Sequence, residues 1–351
     1  MNTPINELSQ VQSIVTFAWW LALDLSVLLY VMLDGADLGA GIFSLFVRSA
    51  PERGAIMSAM AGTWDANETW LIVAGGVLFG TFPLVYGSTF SYLMIPLMIA
   101  LWGMITRALA LEFRHLATAR WQRFSDYAFG ISSLVVAFFS GVAVGAVLQG
   151  FPLTHIAGQA PTYAGGALRC FTPFSIWTGI AAVIAVTLAG VLFIRARFER
   201  DEPIRKQAAN WTNASFFLAL AAVVITVVLS ACLFPWAAHK WLGPDKFIWI
   251  LVLAIVVFCA IRMRLAARAE RDLAAILWLN LTVAIMAGAL LATLYPWLIP
   301  GTWTIYSGAS PAVSLFTFTL AMGGFFPIML MYNAYQIWVF RARISALAAY
   351  H

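Results

Sequence analysis

Nine long apolar runs, parted by short polar turns, constrain this chain more than any other feature: residues 14–46, 55–82, 84–111, 127–148, 174–194, 214–234, 247–261, 273–298 and 313–340. About 20 consecutive apolar residues cross the hydrocarbon of a bilayer as a helix, and inside lipid a helix satisfies its own backbone. Charged residues make up 10% of the chain and its mean hydropathy is +0.88. A soluble domain carries about 25% charged residues. The fold class is therefore all-α: a polytopic membrane protein of nine transmembrane helices in one integral-membrane domain spanning 1–351. Runs 14–46, 55–82, 84–111 and 313–340 exceed the minimum, so tilt or local breaks are expected in them. The run 247–261 is the shortest, and it extends through Arg264 if its arginines snorkel.

Positive charges orient the chain. Nine spans place on one side Arg48, Arg53, Arg107, Arg114, Arg120, Arg123, Arg195, Arg197, Arg200, Arg205, Lys206, Arg262, Arg264, Arg268, Arg271, Arg341 and Arg343, out of 20 Lys and Arg. The other side holds Arg169, Lys240 and Lys246. The positive-inside rule makes the first side cytoplasmic and puts the N-terminus outside. The net charge of +5 is spread over short loops, which gives no nucleic-acid surface. The segment before Gln10 has no basic n-region or small-residue cleavage site and reads as retained. Cys170, Cys232 and Cys259 form no CxxC pair, and Cys232 and Cys259 read as apolar filler.

Against this apolar background, the segment from Trp19 to Tyr86 carries five carboxyl groups: Asp24, Asp34, Asp37, Asp65 and Glu68. Each embedded charge costs a few kcal/mol on insertion scales, so such groups are paired, protonated or in use. Asp34 and Asp37 stand three apart, as do Asp65 and Glu68, which puts each pair on one helix face. Counting inward from Arg48 and Arg53 at about 1.5 Å per residue places Asp37 and Asp65 level, near the middle of the membrane. Asp34 lies slightly deeper and Asp24 near the outer face. Two uses stand side by side: a file of carboxyls that relays protons from the cytoplasm, and a structural network bracing helices at Gly35, Gly39 and Gly41 with Trp64, Asn67 and Thr69. The longer side chain of Glu68 can reach a polar partner outside the file.

Other chemistry lacks its residues. His115, His155, His239 and His351 all fall outside the runs, where membrane-embedded heme would ask for axial ligands. No His, Cys or Asp spacing suits a metal, and no nucleotide-binding loop is present. The reading is of a chain without redox metal of its own.

The phrases Trp19-Trp20, Leu33-Asp34-Gly35-Ala36-Asp37-Leu38-Gly39 and Trp64-Asp65-Ala66-Asn67-Glu68-Thr69-Trp70-Leu71-Ile72 resemble subunit II of the cytochrome bd-type quinol oxidases. Gly75-Gly76, Leu78-Phe79, Phe82-Pro83, Tyr86 and Leu148-Gln149-Gly150 follow the same pattern. A WDGNQ-like phrase is common in that family, and here Ala66 and Glu68 replace its Gly and Gln. The variant is similar to the branch called cyanide-insensitive. The resemblance implies two four-helix bundles plus one peripheral helix in a bacterial inner membrane. It implies a heme-free subunit paired with a subunit I that carries the b and d hemes, in a complex that reduces O2 to water with electrons from quinol. A small single-span subunit is a further partner in such complexes, and some members hold a structural quinone in subunit II. By position Trp64 and Asp65 match residues assigned to a proton-inlet channel, and Asp34, Asp37, Asn67 and Glu68 complete the pathway proposed here. The competing classes are a proton- or ion-coupled secondary transporter, for which midplane acids and glycine-broken helices would also serve, and a quinone-binding anchor for a soluble redox partner.

Overall fold

The computed structural model describes residues 10–154, 162–340 and 342–345, so His155, His351, Arg341 and the segment before Gln10 lie outside the described residues. Thirteen α-helices carry the fold: α1 (Gln10–Ser44), α2 (Ala50–Met60), α3 (Trp64–Thr81), α4 (Pro83–Tyr92), α5 (Met94–Phe113), α6 (Ala119–Leu148), α7 (Pro173–Arg197), α8 (Pro203–Leu233), α9 (Pro235–Leu242), α10 (Lys246–Arg268), α11 (Asp272–Leu294), α12 (Ala312–Met322) and α13 (Phe325–Val339). Eight helices among the described residues are long and apolar enough to cross a membrane, with α12 and α13 acting as one. The chain is a multi-pass membrane protein.

The run 55–82, expected as one span, is not among the eight. It divides at Ala61, Gly62 and Thr63, where Thr63 leaves the helical region at φ −132°, and α3 then opens on Asp65, Asn67 and Glu68. Run 84–111 divides at Leu93 into α4 and α5, and 313–340 divides at Gly323 and Gly324. Apolarity measures how much chain belongs in lipid; it does not see a turn hidden between two apolar helices. Prolines punctuate the rest. Pro83, Pro173, Pro203 and Pro235 each stand in the first turn of a helix, where the missing N–H is no loss.

The centre of the packing is the pair α1 and α7. Around it α1 meets α3 and α6, α6 meets α5, α7 meets α8 and α11, and α10 meets α11. Gly39 and Gly190 make the central crossing possible. A Cβ on Gly39 would lie 1.7 Å from the Val186 carbonyl oxygen, and one on Gly190 would lie 2.0 Å from the Gly39 carbonyl carbon. Close approach at small residues is how helices associate where no hydrophobic force acts between them.

Two buried aspartates tie the arginine-rich end. Asp126 on α6 accepts from Arg53 at 3.1 Å and Arg114 at 2.7 Å. Asp272, the first residue of α11, accepts from Arg195 at 3.0 Å, Arg205 at 2.9 Å and Arg343 at 3.1 Å. The other end is closed by two small hairpins, β1 (Leu153–Thr154) with β2 (Thr162–Tyr163) and β3 (Trp297–Ile299) with β4 (Trp303–Thr304). An aromatic core that includes Trp19, Trp20, Phe82, Tyr92 and Phe151 lies beneath them. There Trp19 donates to the Thr319 hydroxyl at 2.8 Å, which holds α12 against α1.

Candidate functional site

Part-way along α1, Asp34 and Asp37 are both buried, at 0% and 2% exposure. They face the start of α3 on one side and α5 on the other. Arg107, from α5, is fully buried and donates through Nη2 to Asp34 Oδ1 at 2.5 Å and to Glu68 Oε1. Asn67 donates from Nδ2 to Asp37 Oδ2 at 2.8 Å. The Tyr30 hydroxyl lies beside Asp34, one helical turn away on α1. Arg107 Nε and Nη1 are buried without an acceptor.

Three carboxyl groups thus gather around a single guanidinium. If all three ionise, two negative charges remain without a counter-charge in a low-dielectric interior, and a buried charge is tolerated only when paired and hydrogen-bonded. Electroneutrality asks for two protons on the carboxyls. With several acceptors in reach, those protons belong to the group rather than to any one residue. The arrangement can store a proton and pass it among Asp34, Asp37 and Glu68, and the unmet Arg107 donors suit bound water.

Asp65 does not join this cluster: Asn67, two residues further on the same turn of α3, is the side chain that reaches Asp37, and Asp65 faces the other way. Asp65 is exposed in the first turn of α3, where a negative charge also favours the helix dipole. Together with Trp64 it lines an open cleft of about 600 Å³ between α3 and α13. Glu112, Asn333 and Gln336 share that cleft. Gln336 donates to the Gly62 carbonyl at 2.9 Å, fixing α13 to the turn, while Asn333 Nδ2 is buried with no partner. A single turn of α3 therefore presents Asp65 to the cleft and Asn67 and Glu68 to the buried cluster. Asp24 stands apart, ten residues before Asp34 on α1, with Oδ2 buried and unbonded.

Arg107 is the residue the sequence reading misplaced. Grouped with the loop arginines, it lies instead inside the run 84–111, with residues 108–113 continuing the helix beyond it. A cation within an apolar run, in a chain that already has unexplained acids two helices earlier, is the signal that could have found it. Among the described residues no group of three or more His, Cys, Asp or Glu side chains could hold a metal ion.

Comparison with known proteins bears on the whole chain. The family model described as cytochrome bd terminal oxidase subunit II matches residues 15–340. Cytochrome bd-I ubiquinol oxidase subunit 2 of Escherichia coli K12 is 25% identical over 363 residues, covering 95% of this chain and 96% of that one. Cytochrome bd ubiquinol oxidase subunit 2 of Bacillus subtilis is 23% identical over 346 residues, covering 93% and 96%. In fold, the chain is similar to the bd oxidase structure from Geobacillus thermodenitrificans, with a TM-score of 0.77 over 93% of this chain and 97% of that one, at 18% identity.

Proposed function

Because the chain belongs to the cytochrome bd terminal oxidase subunit II family, we propose that it is the heme-free partner of a heme-bearing subunit I, in an inner-membrane complex that oxidises quinol and reduces O2 to water. The b and d hemes belong to that partner and supply the electron transfer. A small single-span subunit completes some such complexes, and a structural quinone is assigned no residues here. Helices α12 and α13 form the peripheral crossing beside two four-helix bundles, with α2 and α3 together as the ninth span. The arginine-rich end faces the cytoplasm and the N-terminus lies outside. Family membership sets aside the transporter and the soluble-partner anchor.

This chain's own residues serve proton uptake. Water in the cleft delivers protons to the exposed carboxylate of Asp65, beside Trp64. The first turn of α3 carries them inward, and the Asp37–Asn67 pair and the Asp34–Glu68–Arg107 ion cluster accept them. Arg107 keeps Asp34 and Glu68 in place and limits how much negative charge the cluster holds. The observation that carries this reading is the gathering of buried Asp34 and Asp37 and part-buried Glu68 about one guanidinium, which bonds Asp34 and Glu68 directly, because such a group must bind protons to exist in the membrane.

Two measurements test it. A tagged chain purified gently should bring down a polypeptide with b- and d-type absorption bands and quinol-dependent O2 uptake; a colourless homo-oligomer would defeat the assignment. In that complex Asp37→Asn should slow turnover about tenfold or more with heme content intact, the range that loss of a positioned proton-transfer group gives. Full turnover would remove Asp37 from the path, and loss of heme would make its role one of assembly.

A further inference from the structure

Where Asp126 and Asp272 satisfy their arginines, Arg264 on α10 is left with an unmet donor. Its guanidinium reaches across to α8, with Nη2 donating to Asn213 Oδ1 at 3.0 Å. It lies 4.5 Å from the centre of the Phe217 ring and 5.4 Å from that of Phe216. Its Nε is buried and donates to nothing. Arg268 follows one turn later on α10, and Lys206 lies two turns before Asn213 on the same face of α8. Among the described residues none of these three cations forms an ion pair. Away from this end the same two faces turn aliphatic and stay exposed, through Leu220 and Val224 on α8 and Ile261 and Val257 on α10.

We propose that the α8–α10 groove binds an anionic phospholipid, its phosphodiester held by Arg264 and Arg268 and one acyl chain laid along the aliphatic faces. The charge pattern selects this ligand. A guanidinium with a free buried N–H, already stacked on an aromatic ring, is preorganised for a phosphate oxygen. Uncompensated basic residues between membrane helices at headgroup depth are the usual lipid-phosphate site. A free anion would use the arginines and leave the aliphatic faces idle; a zwitterionic lipid brings its own cation beside Arg264 and Arg268, which among the described residues form no ion pair.

The test uses the full chain with its co-assembled partner, stripped of lipid in detergent and titrated with phosphatidylglycerol or phosphatidylcholine in mixed micelles. Native mass spectrometry counts the lipids retained. Phosphatidylglycerol should be held at least about fivefold more tightly than phosphatidylcholine, the scale of one basic residue at a membrane surface. Arg264→Gln should bring the two lipids to parity, Arg120→Gln at the start of α6 should leave the preference intact, and millimolar inorganic phosphate should not displace the lipid. Equal retention of both lipids by the unmodified protein overturns the proposal, whether or not the Arg264 variant folds. So does a preference that survives Arg264→Gln, or displacement by inorganic phosphate, which would mark a free-anion site.

Discussion

Helices α1 and α7 both run toward the arginine-rich end and touch at Gly39 and Gly190. Two residues before that crossing α1 carries Asp37, and α7 carries Leu188; five residues before it α1 carries Asp34, and α7 carries Ala185. Leu188 packs in an apolar cluster with Leu192, Phe216 and Met263. The contrast extends outward. Two sets of helices can be told apart by their contacts: α1 with α3 and α6, and α6 with α5, make the first, and α7 with α8 and α11, and α11 with α10, the second. Helices α3 and α5 are bridged by the Glu68–Arg107 ion pair deep in the first set, whereas α8 and α10 are bridged by Asn213 and Arg264 near the end of the second. Yet both sets close their arginine-rich ends in the same manner, on Asp126 and on Asp272. Shared features at equivalent places mark what the architecture needs to stand. Asp34 and Asp37, midway along α1, have only Ala185 and Leu188 at the matching places on α7, so the architecture does not require them, and the reason for them lies in chemistry.

The largest effect that separates the two sets should come from Arg107→Leu. Removing the cation leaves Asp34 buried without a partner and Glu68 part-buried, a loss on the order of 3–5 kcal/mol. Arg264→Leu at the matching bridge in the second set should cost no more than about 1 kcal/mol, since it strands no charge. Thermal unfolding of the two variants in detergent decides it. Equal shifts would mean that the deep ion pair is no more consequential than a surface contact, and the contrast between the sets would dissolve.

The glycine crossing and the aspartate locks should instead behave alike on both sides. Gly39→Val and Gly190→Val each drive a side chain into backbone of the opposite helix, where overpacking costs about 1–3 kcal/mol and more where backbone must move. Asp126→Asn and Asp272→Asn each remove the counter-charge and one of the two acceptor oxygens from buried arginines, which costs about 1–3 kcal/mol once the freed guanidinium groups shift toward water. Paired values within each couple would sharpen the picture of two equivalent frames. A lock that mattered in one set alone would break it, and Asp272, with a third arginine from the segment after α13, is where such a departure would be looked for.

Much of this was legible in the residues, for reasons that can be named. Asp34 and Asp37 share a face of α1 because helical spacing dictates it, and burial follows from their apolar neighbours. The pairing of Asp37 with Asn67 rather than Asp65 was hidden, because it depends on where α3 begins, and that is set by a turn at Ala61–Gly62–Thr63 with no proline to announce it. Arg107 was hidden for a different reason. Counting positive charges by side treats every arginine as a loop residue, and only the contact with Asp34 and Glu68 shows that this one is solvated by carboxylates instead of water. The cleft was out of reach of sequence altogether, since it joins α3 to α13 across more than 250 residues of chain.

Asp65→Asn should give the smallest stability change of the set and still be informative. The side chain is exposed and makes no ion pair among the described residues, so only its favourable position at the start of α3 is lost, about 0.3–1 kcal/mol. Turnover is another matter. If Asp65 gathers protons for the cluster, quinol-dependent O2 uptake should fall several-fold while heme content and unfolding temperature hold, and the deficit should shrink as the medium is acidified and water in the cleft supplies protons without it. Asp37→Asn should show no such rescue, because a buried acceptor with its carboxyl removed cannot be replaced by bulk acidity. The pair of variants therefore tests the division drawn between an exposed collector and a buried store. Identical pH profiles for the two would leave Asp65 as a helix-capping charge and return the whole of proton handling to the buried carboxyls around Arg107.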